Sequence, residues 1–139
     1  MQTLMEIVRD QEVKRTREQE FLMEAQSIRR SLGPARWEEL CSGIEAECLN
    51  INGAGPRRMN VNRNALSMSV RDSLTGRGLR LSYNNVGPCI DWSVSGGQTR
   101  NMVFQVADGP VPAVLLVFEG CPFPLGEIVH DLMIRIVNG

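Results

Sequence analysis

Histidine and aromatic residues are scarce in this sequence: one His, one Tyr, two Trp and four Phe in 139 residues. The sole histidine, His130, lies in a helical pattern beside Asp131. Neighbours one residue apart on a helix project about 100° from each other, so the two form no orienting pair. No Ser or Cys stands near His130 in an elbow-like turn, as an activated nucleophile requires. Few aromatics also means no row of exposed rings between basic residues, so a single-strand nucleic-acid platform is not expected, although Arg57, Arg58 and Arg63 cluster in sequence. No nucleotide loop is present either. Asn52-Gly53-Ala54-Gly55 and Thr75-Gly76-Arg77-Gly78 contain G-x-G but neither extends to G-x-G-x-x-G.

The four cysteines, Cys41, Cys48, Cys89 and Cys121, form no C-x-x-C pair, so the usual zinc spacings are absent. On one helix Cys41 and Cys48 would stand about 10 Å apart, too far for a disulfide. All four read as reduced thiols used as small apolar side chains, and no metal or cofactor is expected. No run approaches the ~18 apolar residues of a membrane helix, and the N-terminus MQTLMEIVRDQEVKR lacks the pattern of a secretory signal. A formal net charge of −1 gives no pull toward nucleic acid or membrane. The expectation is a cytoplasmic protein with no membrane and no nucleic-acid partner.

What is present is an ordinary core composition, 42% hydrophobic, in a length that suits one domain over 1–139. Residues 2–32 contain no Gly or Pro and are rich in Glu, Gln, Arg, Leu and Met, which predicts one long helix. Its apolar positions cluster at Leu4–Val8 and at Phe21–Leu32, with only Val13 between Arg9 and Glu20, so a sustained coiled coil is not predicted. Such a helix outruns a small domain, so residues 1–20 project, fray, or pack on a second copy. Gly33-Pro34 reads as a stop, and Trp37, Leu40, Cys41, Ile44 and Cys48 as the buried stripe of a second helix over 34–50.

Gly53, Gly55 and Pro56 end that helix. Short alternating runs follow: Met59–Val61, Leu66–Val70, Leu79–Tyr83, Ile90–Val94 and Met102–Val106. Gly96-Gly97 marks a hairpin, and Asp108-Gly109-Pro110 a turn. Ala113–Phe118 is apolar on both faces, so it is either central and covered twice or part of an interface. Cys121-Pro122-Phe123-Pro124 reads as a stiff connector. Leu125 to Val137 closes the chain as an amphipathic helix, with Asp131 and Arg135 as an i,i+4 pair. The predicted fold is α+β: a long N-terminal helix, a second helix, a five- to six-stranded antiparallel meander, and a C-terminal helix packed on one sheet face.

Among possible sites, the helical glutamates (Glu38, Glu39, Glu45, Glu47) read as a solvated face, and Glu119 has no evident partner. The sheet's polar face is the better candidate. Ser69, Arg71, Arg80, Ser82, Asp91, Ser93 and Gln105 would share it, with Arg71, Arg80 and Asp91 as the ligand- or partner-binding residues. The functional expectation is a non-enzymatic binding or protein-interaction module that self-associates, probing partners through this face or through Leu4–Val8. The alternative is a small-molecule sensor or enzyme with a cavity between sheet and helices, using Cys89 or Cys121.

Overall fold

A computed structural model describes residues 1–107 and 109–138. The first helix, α1, runs without interruption over Leu4–Ala54, 51 residues and about 77 Å at ~1.5 Å per residue. A capping box starts it. The Thr3 hydroxyl accepts from the Glu6 N–H at 3.3 Å, and the Glu6 carboxylate accepts from the Thr3 N–H at 3.2 Å. Every residue from 1 to 24 is exposed, and burial begins at Ala25, so the first part of α1 projects from the body.

Gly33-Pro34 does not stop this helix, and the expected pair of helices is one. Pro34 removes one N–H from the ladder, but α1 is buried on either side of it, at Ala25 and from Trp37 to Cys48. Gly33 is no helix end. A Cβ there would sit 2.9 Å from Tyr83 Oη and 3.3 Å from Phe104 Cε2. The glycine lets the helix lie close on the sheet.

Seven strands follow as a simple antiparallel meander in chain order. They are β1 (Met59–Arg63), β2 (Ser67–Asp72), β3 (Gly78–Asn84), β4 (Cys89–Val94), β5 (Arg100–Ala107), β6 (Ala113–Phe118) and β7 (Cys121–Pro122). The seventh lies in the stretch expected to be a connector. Glu119 and Gly120, with φ of 54° and 83°, turn the chain so that Cys121 and Pro122 pair with Phe118 and Val117. Two residues carry no alternation, so nothing in the sequence marks them as a strand. The helix α2 spans Leu125–Val137, with Pro124 at its N-cap. Asp108, in the predicted β5–β6 turn, lies outside the described residues.

The alternation sorts the sheet into two faces. Met68, Val70, Leu79, Leu81, Ile90, Trp92, Met102, Phe104, Val114, Leu116 and Phe118 form one buried cluster with Trp37, Leu40 and Ile44 of α1 and Ile128, Leu132 and Ile136 of α2. These side chains occupy the space between helices and sheet. β6 is not central. Val114, Leu116 and Phe118 are buried, whereas Leu115 on the other face is 42% exposed.

Open strand edges are met by α1 side chains. Arg29 Nε donates to Phe104 O at 2.8 Å and Arg36 Nε to Val114 O at 3.0 Å. Asn52 clamps both backbone groups of Met59, accepting its N–H at 2.6 Å and donating to its carbonyl at 3.2 Å.

Candidate functional site

The outer sheet face is built by every second residue of each strand. Backbone pairing aligns Asn60 with Arg71, Ser69 with Arg80, Arg80 with Ser93, Ser82 with Asp91, and Asp91 with Asn101. Directly paired residues share a face, so these eight positions' polar side chains all stand on the side away from the helices. Arg71 and Asp91 each lie diagonal to Arg80, where Cα atoms are ~7–8 Å apart. On its β3 side the backbone partner of Arg71 is Gly78, which offers no side chain, and on its β1 side the partner is Asn60.

This face carries two adjoining concavities. One, about 480 Å³, is lined by Asn60, Asn62, Ser69, Arg71, Arg80 and Ser93 among others. The next, about 460 Å³, is lined by Arg80, Ser82, Asp91, Ser93 and Thr99 among others. Arg80 joins them.

The charges on this face are unequal in commitment. Asp91 Oδ1 accepts from the Asn101 amide directly opposite it on β5, and the Cys89 thiol lies 4.0 Å away. Arg71 and Arg80 are exposed and make no ion pair or side-chain hydrogen bond among the described residues. Other arginines are engaged. Arg57 lies 3.3 Å from the fully buried Asp72, and Arg63 holds Glu45 at 2.7 Å and also Glu38. Those hydrogen bonds, Glu45 first and Glu38 second, raise the Arg63 pKa. The run Arg57, Arg58, Arg63 is thus divided among separate partners and forms no basic patch.

The three residues expected at a site, Arg71, Arg80 and Asp91, therefore share one face. Ser69, Ser82 and Ser93 line the concavities with them, whereas Gln105 lies opposite Leu115, near the exposed Val103. Asn60, Asn62 and Asn101 belong to the face but were not expected there. Asn60 and Asn62 alternate about Val61, a signal too short to orient a strand.

Three of the four thiols are held back by burial. Cys41 and Cys48 are buried, and burial first of all pushes their pKa values up to about 12 and about 11. Cys89 is also raised, by burial and then by Asp91. Cys121 is exposed. His130 sits at the rim of a concavity of about 320 Å³ lined by Phe118, Phe123, Gly126, Glu127 and Asp131, with no hydroxyl or thiol in it. Asp131 is held by Arg135 at 2.8 Å. Among the described residues no group of three or more His, Cys, Asp or Glu side chains is placed to hold a metal ion, and no helix is long and apolar enough to cross a membrane.

Comparison with protein-family models, with curated proteins and with solved structures finds no match.

Proposed function

We propose that this protein is a non-enzymatic interaction module whose outer sheet face receives an acidic segment of a partner protein. The observation that carries the reading is the pair of uncommitted guanidinium groups, Arg71 and Arg80, on adjacent strands in a concavity lined by Asn and Ser. Guanidinium forks match carboxylates in a bidentate geometry, and the amides and hydroxyls around them supply further donors. The rings of Trp37, Tyr83, Trp92, Phe104 and Phe118 are all buried on the other side, which favours carboxylates over stacked nucleobases.

The edge strand β1 adds a second means of holding an extended segment. Met59 turns its N–H and C=O outward to Asn52, so by alternation Val61 also presents its backbone groups to the open edge. A segment pairing there would run beside Asn60 and Asn62 and bring every second side chain toward Arg71. Free thiols fit work in a reducing compartment such as the cytoplasm. The module also self-associates in this reading, because the projecting part of α1 exposes Leu4, Met5, Val8, Leu22 and Met23.

The test is a titration of the isotope-labelled protein with a hexaglutamate peptide, followed by amide shifts. Shifts should concentrate on β1–β4 and weaken as salt rises. Arg71→Ala with Arg80→Ala should lower affinity at least tenfold, since each charge-assisted contact contributes ~1.5 kcal/mol or more. Equal weak binding by wild type and double variant sinks the reading.

A further inference from the structure

Residues 4–23 of α1 form a free-standing rod, about 30 Å long at ~1.5 Å per residue. Met5, Val8, Glu12, Arg15, Gln19 and Leu22 recur at alternating spacings of three and four, so they form one seam along it. Leu4 and Met23 flank its two ends. The apolar members are well exposed: Leu4 76%, Met5 65%, Leu22 64% and Met23 73%. Ile7, Val13 and Phe21 lie off this seam.

We infer that the seam pairs with the same seam of a second copy, antiparallel, about a two-fold axis between residues 13 and 14. This rests on the self-association part of the proposed function and adds its surface and direction. Reversal sets Met5 on Leu22 of the partner subunit and Val8 on Gln19 of the partner subunit. At the centre Glu12 meets Arg15 of the partner subunit, and the symmetry repeats every contact. Arg9, on one flank, comes near Glu20 of the partner subunit. A parallel pair would instead stack Glu12 on Glu12 and Arg15 on Arg15, like charges in the seam. Charge therefore selects the direction, and the polar centre sets the register at some cost in stability. The gap in the apolar pattern that argues against a long parallel coiled coil is what an antiparallel pair accommodates, because each apolar end lands on the other. With axes 8–10 Å apart, the bodies, which begin at Ala25, lie at opposite ends of the rod and do not meet.

Light scattering on the full chain should give twice the 15.5 kDa of one chain. Glu12→Arg and Arg15→Glu should each halve the mass, and the two together should restore it, since the swapped charges again face each other. These positions are exposed, and unchanged circular dichroism of the body will show that the fold is intact. In a Cys121→Ser background, a mixture of Met5→Cys and Leu22→Cys chains should form an intermolecular disulfide on mild oxidation. Efficient linking of Met5→Cys to itself would assign a parallel pair and overturn the inference. A dimer that survives both single charge reversals overturns the seam while leaving self-association through another surface standing. A wild-type chain that is monomeric at micromolar concentration overturns both.

Discussion

Gly33 and Gly53 show how one residue type serves two ends. A side chain on Gly33 would enter space held by Tyr83 and Phe104, whereas nothing lies within 4 Å of a Cβ on Gly53. Gly33→Ala gains up to ~1 kcal/mol of helix propensity but overpacks a buried contact, at a cost of about 1–3 kcal/mol. Urea unfolding should show a net loss for Gly33→Ala and no loss for Gly53→Ala. A stabilised Gly33→Ala would mean that the helix stands off the sheet. Thiol reactivity is a second matter of single residues. Cys121 should label rapidly in the folded protein, Cys89 slowly, and Cys41 and Cys48 only on unfolding. Because the folded chain holds Cys41 and Cys48 protonated up to about pH 12 and pH 11, while an ordinary thiol ionises near 9.0, the unfolded state loses its protons first. Stability is then full below pH 9 and falls as pH rises toward 11–12. Cys41→Ala should flatten that alkaline slope in urea melts from pH 8 to pH 10.5; an unchanged slope would show that the thiol is hydrated.

At the scale of elements, the alternating strands from Ser67 to Ala107 are readable from sequence because each has one wet and one dry face, and period two survives any strand order. The continuity of α1 is not readable. Gly-Pro is a strong local break, and only the burial of Ala25 on one side and Trp37 to Cys48 on the other carries the helix through it. Pro34 itself is exposed and interior to the helix. Pro34→Ala should therefore restore one backbone hydrogen bond and raise stability by about 1–3 kcal/mol, read as a higher urea midpoint at constant slope. A lower midpoint would show that the proline shapes a bend the packing needs. The candidate site is an element-scale property as well. Alternation places Arg71, Arg80 and Asp91 on one side, but Asp91, diagonal to Arg80, is taken by Asn101, a pairing between β4 and β5 that no local pattern contains.

For the whole molecule, the outline is a layered body with a rod. Deleting residues 1–20 removes only exposed residues, so the body's stability, measured in dilute solution, should change by no more than ~0.5 kcal/mol. If the rods pair, the full chain's melting temperature will rise with protein concentration and that of the shortened chain will not. Concentration-independent melting of both would leave the rod without an associative role.

Composition, period and spacing by themselves determine the α+β class, the alternating strands, the amphipathic closing helix and the sorting of polar and apolar residues between faces, because these follow from periods that a short window contains. Tertiary structure alone decides the order of the seven strands, that α1 is a single helix, that Cys121-Pro122 is a strand, that Asp72 is buried beside Arg57, and that Arg71 and Arg80 have no partner among the described residues. Each of these depends on which residue a distant part of the chain places alongside, and that proximity is settled only when the layers close on one core.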